Sequence, residues 1–184
     1  MSSMDTVEIP KTREQRLRKH RDLLVESIRA NILPALAQQG FAIVPRTHPP
    51  VDPKSVGIFP FGQLRRARPD GGLDMVEIQL MTYQRAAFRI NACAVPKEGM
   101  RTLGGHRNTE ECLALGVHDL EMYACPKWWI WFSLWFWRFR SPAHAEYEKL
   151  ALRVAGLLPE IEQALSERKL GPHVRRLVLS ARLR

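Results

Sequence analysis

The stretch Lys127-Trp128-Trp129-Ile130-Trp131-Phe132-Ser133-Leu134-Trp135-Phe136-Trp137-Arg138-Phe139-Arg140 carries all five tryptophans of the chain. From Trp128 to Trp137 every residue except Ser133 is apolar, so periodicity does not separate a buried helix from a strand. Composition and length do. The run is rich in aromatics and is bounded by Pro126 and by Ser141-Pro142, which favours an extended strand. At about a dozen residues it falls short of the roughly 20 apolar residues of a membrane-spanning helix.

Such a strand presents Trp129, Trp131, Ser133, Trp135 and Trp137 on one face and Trp128, Ile130, Phe132, Leu134 and Phe136 on the other. Both faces then need cover, since each large side chain withdrawn from water contributes about 1.5–3 kcal/mol. Two readings follow. Either this is the central strand of a thick core, or the face with four tryptophans lines a groove for a ligand or partner.

Working outward, Leu73–Thr82 and Arg85–Val95 alternate cleanly. Val76, Ile78 and Leu80 share one face, with Glu77, Gln79 and Met81 opposite; Phe88, Ile90, Ala92 and Ala94 share a face, with Arg85, Arg89, Asn91 and Cys93 opposite. One side of this sheet can carry helices and the other is mixed polar. Pro69-Asp70-Gly71-Gly72 is a turn, Tyr83-Gln84 the expected reversal, and Gly57–Arg68 an extended segment before them. Glu98–Cys125 reads as a long glycine-containing loop with a short helix over Thr109–Leu115.

Helices are expected at both ends. Thr12 with Gln15 forms a capping box, and Leu17, Leu24, Ile28 and Ile32 recur at helical spacing. Pro34 should bend or restart this helix. Gly40 ends it, and Phe41 packs back on the last turn. Phe41–Pro45 is a short strand, and the proline-rich Arg46–Lys54 a surface loop. Near the other end, Ser141 and Pro142 read as the cap and first turn of a helix. Its stripe is Tyr147, Leu150, Val154, Leu157, Ile161 and Leu165, with a kink or a new segment at Pro159. His173–Arg184 reads as a final short helix or strand. The expected architecture is a two-layer α+β domain over residues 11–184: a mainly antiparallel sheet of about five strands packed by N- and C-terminal helices, behind a loose arm over residues 1–10.

The order of three pieces resembles the bacterial domain-of-unknown-function 4304 family. They are the helix end Leu33-Pro34-Ala35-Leu36-Ala37-Gln38-Gln39-Gly40-Phe41 leading to Leu64-Arg65-Arg66-Ala67-Arg68, then Asp74-Met75-Val76-Glu77-Ile78-Gln79, then Phe88-Arg89-Ile90-Asn91. The resemblance spans about residues 13–95 and implies an α+β fold with no established activity. The long loop and the tryptophan content have no counterpart in it.

Lys and Arg number 28 against 19 Asp and Glu, a net charge of +9. That balance favours acidic partners in general without being a nucleic-acid signature. Three cysteines, Cys93, Cys112 and Cys125, at long irregular spacings fit a reduced, cytoplasmic protein, and residues 1–10 lack the basic-then-apolar order of an export signal. No membrane insertion is expected. His106, Cys112, His118 and Cys125 lack the close pairing of a zinc site, so neither metal nor cofactor is expected. Neither a nucleophile elbow nor a phosphate-binding loop is present.

The reading that results is a non-catalytic binding domain of the adaptor or immunity kind. Its contact residues would be Gln79, Arg89, Asn91, Trp129, Trp131 and Trp135, taking a protein or small-molecule partner; self-association stays open. One alternative is a single-stranded nucleic-acid binder on the same face, since aromatic platforms flanked by arginine hold bases. The other is a hydrolase-type enzyme using the His106–His118 region.

Overall fold

The computed structural model describes residues 12–44, 57–81, 86–102, 105–112, 119–124, 131–134 and 142–177. Helix α1 (Arg13–Gln38) opens on the expected capping box: Gln15 N donates to Thr12 Oγ1 at 3.2 Å, and Thr12 N to Gln15 Oε1 at 3.0 Å. The helix runs through Pro34 to Gln38 without the expected restart. Pro34 lies on the exposed side, where water can serve the carbonyl that proline leaves unpaired, while Ile32 and Leu36 on the opposite side are fully buried and hold the helix to the core. It stops in a Schellman closure. Gly40 takes φ +86°, Gly40 N donates to Ala37 O and Phe41 N to Leu36 O, and Phe41 is buried against the helix end.

The chain then lays down strands β1 (Ala42–Val44), β2 (Gln63–Ala67), β3 (Leu73–Leu80) and β4 (Ala87–Val95), each antiparallel to the last. Gly57–Arg68 is not extended throughout: Gly57 and Ile58 are helical and Pro60-Phe61 turn, with Gly62 at φ +69°, before β2 begins. The Tyr83-Gln84 reversal lies outside the described residues, as does the Arg46–Lys54 loop; Leu80 pairs Phe88 on either side of the reversal. The region expected to be a long loop carries structure of its own. A small hairpin pairs β5 (Met100–Thr102) with β6 (Gly105–Arg107), and a 3-10 turn spans Thr109–Glu111. Strand β7 (Leu120–Met122) joins the main sheet beside β4. Thr109 opens this turn, and residues 113–115 of the helix expected over Thr109–Leu115 lie outside the described residues; its hydroxyl lies 2.8 and 2.9 Å from the carbonyl oxygens of Pro96 and Lys97, pinning the turn to the end of β4.

Of the tryptophan stretch, residues 131–134 are described, and Phe132–Ser133 form β8, paired with Phe88 and Ala87 of β4. Both β7 and β8 line the same edge of β4. Ile90 faces Met122 and Phe88 faces Phe132, so a two-residue step on β4 corresponds to ten residues of partner chain. A dozen-residue unbroken strand is thus replaced, among the described residues, by a two-residue contact. Strand β9 (Val174–Arg176) closes the sheet against β7. The main sheet has the order β1-β2-β3-β4-β7-β9, with β8 also on β4. Among the described residues that makes seven strands where about five are expected, because two- and three-residue strands are too short to display periodicity.

Helices α2 (His144–Ala155) and α3 (Leu158–Ser166) join α1 on one face. The cap of α2 falls at Ala143, two residues past Ser141, with Ala143 N donating to Glu146 Oε2 at 2.9 Å. The chain breaks at Gly156-Leu157 and restarts with Pro159 in the first turn of α3. This break moves the buried position from the expected Leu157 to Leu158. Leu24, Ile28, Ile32 and Leu36 of α1 share one core with Val76, Ile78, Leu80, Phe88, Ile90, Phe132 and Tyr147. Arg66 clamps the layers on this side: Nη2 reaches Asp74 Oδ2 at 2.7 Å, and Nη1 reaches Glu162 at 2.6 Å and the Gln39 carbonyl at 2.9 Å. The architecture is α+β, a mostly antiparallel sheet covered by helices from both ends of the chain. Among the described residues no helix is long and apolar enough to cross a membrane.

Candidate functional site

Alternation along the strands sends every second residue to the face away from the helices, and the register stacks those residues in transverse rows. Leu73 pairs Val95, Met75 pairs Cys93, Glu77 pairs Asn91, and Gln79 pairs Arg89. The third row continues across the sheet, Asn91 opposite Glu121 and Glu121 opposite Arg175. The face therefore grades from apolar to polar along the strand direction.

The apolar end is covered. Cys112 packs on Met75, Cys93 and Val95, with Met100 alongside, and Arg65 holds the covering segment by donating to the carbonyls of Glu110 at 3.0 Å and Cys112 at 3.1 Å. Cys93 and Cys112 are buried cysteines, and burial, above all, pushes the Cys93 thiol far up from its ordinary value. A thiol so desolvated is a poor nucleophile.

The polar end is a connected network. Gln79 Oε1 accepts from Arg89 Nε at 2.8 Å and from Asn91 Nδ2 at 3.0 Å. Glu121, with no exposed surface, accepts from Arg89 Nη1 through one oxygen and from Arg175 Nε at 2.8 Å through the other. Two guanidinium groups on one buried carboxylate satisfy its lone pairs and compensate its desolvation, the condition for a buried ion cluster to persist. Burial chiefly, together with the charge of Arg175, holds the Arg89 pKa below the usual arginine value against the pull of Glu121. Arg89 remains charged. Glu77 and Asn91 are likewise fully buried, and Asn91 Oδ1 has no hydrogen-bond partner among the described residues.

Trp131 reaches this network from the start of β8. The Arg89 guanidinium carbon lies 4.8 Å from the centre of its ring, within cation–π range. Phe132 points the other way, into the helix-side core, where its ring is 5.4 Å from that of Phe88. Trp131 and the arginines thus occupy the same face. Tyr123 adds a second aromatic, 5.7 Å from the Arg175 guanidinium. Arg89, Gln79 and Trp131 are partly exposed, and the Arg175 side chain keeps 42% of its surface.

Of the six residues expected to make contacts, Gln79, Arg89, Asn91 and Trp131 come together here; Trp129 and Trp135 fall outside the described residues. Asn91 is a supporting residue, since no part of it reaches the surface. Glu121 and Arg175 complete the site and were missed by sequence reasoning. Each lies on a three-residue strand whose pairing partner is remote in sequence; only the isolated apolar–Glu–apolar pattern Leu120-Glu121-Met122 hints at it. His106 is exposed on the β5–β6 hairpin, while His118 is outside the described residues. Among the described residues no cluster of metal-ligating side chains occurs. No protein-family model matches this chain, and no curated protein or solved structure matches it either.

Proposed function

We propose that this is a non-catalytic binding domain, whose partner docks on the sheet face away from α1, α2 and α3, against Trp131, Arg89, Gln79 and Arg175. The observation that carries the reading is the seating of Arg89 between the Trp131 ring and the buried Glu121 carboxylate. An aromatic ring and a guanidinium fixed in place before binding lose little freedom on association, and tryptophan and arginine dominate the residues that carry binding energy. The accessible groups are donors and ring faces, which suits a protein segment or small molecule presenting acceptor oxygens beside an apolar group. Kinship with the domain-of-unknown-function 4304 family is proposed on the ordered sequence pieces, and a cytoplasmic location on the reduced thiols.

The test is capture by the wild-type chain against Trp131→Ala combined with Arg89→Ala, with circular dichroism to show that the variant folds. Weakened retention of a partner by the folded variant supports the site, and retention at equal strength removes it. The nucleic-acid alternative is separated by salt. Retention of a single-stranded oligonucleotide that falls steeply between 50 and 200 mM salt would replace the protein or small-molecule reading. Glu77 and Glu121 beneath the arginines argue against that outcome, since they offset the cationic field a phosphate backbone needs.

A further inference from the structure

On the helix side of the same strands lies a cleft of about 320 Å³ between the end of α3 and the edge of the sheet. Ala94, Leu120, Ala164 and Leu165 give it a small apolar floor within a mainly polar lining, and Arg68, Arg168 and Arg176 stand around it with Asp70 and Asp119. The carboxylates are not equally engaged. Asp70 accepts from Gly72 N and from Arg68, both at 2.9 Å, so this acid and this base largely cancel; Asp74, behind the lining and 3.7 Å from Arg68, is held by Arg66 at 2.7 Å. Asp119 lies a loose 3.9 Å from Arg176 Nε. Arg168 has no ion pair among the described residues. Three guanidinium groups against two carboxylates leave the lining at +1.

Arg168 carries a second mark. It follows α3 with φ +56°, and it is the sole non-glycine residue with positive φ among those described. This is the position past a helix end where glycine is the common choice, and side chains kept there against backbone preference concentrate at functional sites.

We infer that this cleft binds a small monocarboxylate with a compact apolar body. The volume sits at the lower end of the range for small-molecule sites, roughly 300–1,000 Å³, which admits a ring or short chain but little more. The apolar floor takes the body, and the arginine forks of Arg168 and Arg176 match a carboxylate in shape and charge. A single negative charge neutralises the lining; a phosphate dianion would leave it negative beside Asp70 and Asp119. The site is independent of the face proposed above: Leu120 and Arg176 point into the cleft, whereas Glu121 and Arg175 point to the opposite side.

The experiment titrates the full chain with sodium benzoate, following the melting temperature and saturation-transfer NMR. Benzamide serves as the neutral isostere and inorganic phosphate as the competing anion, all at matched ionic strength. Benzoate is expected to saturate with a dissociation constant on the order of 1 mM, while benzamide gives no saturable response. Arg168→Gly is the decisive variant. Glycine is at ease at positive φ, so the variant should melt at or above wild type and yet lose benzoate affinity by about tenfold or more. The inference is overturned by an absence of benzoate saturation below roughly 100 mM, by equal response to benzamide, by tighter saturation with phosphate, or by an Arg168→Gly chain that binds benzoate like wild type.

Discussion

Glu121 and Arg175 are direct cross-strand partners on β7 and β9, and the wholly buried carboxylate of the first takes the Nε–H of the second at 2.8 Å. Removing the acid strands two guanidinium groups, Arg89 inside and Arg175 at the margin. Glu121→Gln is expected to destabilise the fold by about 3–5 kcal/mol, measured as a lower urea midpoint. Arg175→Met should cost clearly less, because its head is partly solvated and Arg89 remains on the carboxylate. Equal losses from the two variants would show that the acid is not the centre of the cluster.

A pH dependence follows from His20. This residue is buried on α1, 6.0 Å from the Tyr147 ring, and burial first, then the charge of Lys19, holds its pKa below the ordinary 6.5. The unfolded chain takes up the proton near pH 6.5 and the folded chain only at lower pH. In the window between, the unfolded state binds more protons, so stability falls as pH drops from 6.5 towards the depressed value. Above 6.5 both states are neutral and this slope vanishes. Replacing His20→Phe should flatten the urea midpoint across that window; an unchanged profile would assign the slope elsewhere.

Gly99 holds the base of the β5–β6 hairpin with φ +82°, and an added methyl there would run into the backbone carbonyl of Arg107. Gly99→Ala therefore meets both a left-handed strain of roughly 1–2 kcal/mol and a backbone collision that only displacement of the hairpin relieves. The expected result is a destabilised chain, by about 2–4 kcal/mol, with the apolar end of the free sheet face opened to solvent.

That opening has a chemical readout. Cys93 and Cys112 are buried in one cluster with Met75 and Val95, Cys112 directly following the Thr109–Glu111 turn. In the wild-type chain both should resist iodoacetamide at pH 8 until urea unfolds the protein, as resolved by peptide mass mapping. In Gly99→Ala, labelling of Cys112 and then Cys93 should accelerate at urea concentrations well below the unfolding transition. Rapid labelling of the native wild-type thiols would contradict the packing described.

What could be read in advance, and what could not, divides by segment length. The eight- and nine-residue strands β3 and β4 alternate over enough positions to assign both faces, so Gln79, Arg89 and Asn91 group together from the sequence alone. The capping box at Thr12 and the glycine stop at Gly40 were legible because both are local backbone chemistry. Strands β7, β8 and β9 were not, since two or three residues carry no period and their position depends on partners far along the chain. The tryptophan stretch misled in extent for a related reason: apolar composition indicates burial but not where a ladder starts and stops. At Pro34 propensity alone points to a bend or restart, whereas the burial of Ile32 and Leu36 on the other side of the same turn keeps the helix continuous to Gln38.

The order of strands also bears on how the chain reaches its native state. From β1 to β4 each strand pairs with its neighbour in sequence, whereas Glu121 meets Arg175 across a separation of 54 residues. Loop closure over that distance is slower than hairpin formation. The β3–β4 hairpin should assemble early, with one flank of β4 waiting for β7 and β8, and β7 in turn for β9. During that interval the flank is an unprotected template for another nascent chain. Expression yield and dependence on chaperones should therefore respond to changes in the late-docking strands more than the equilibrium stability of those variants would suggest.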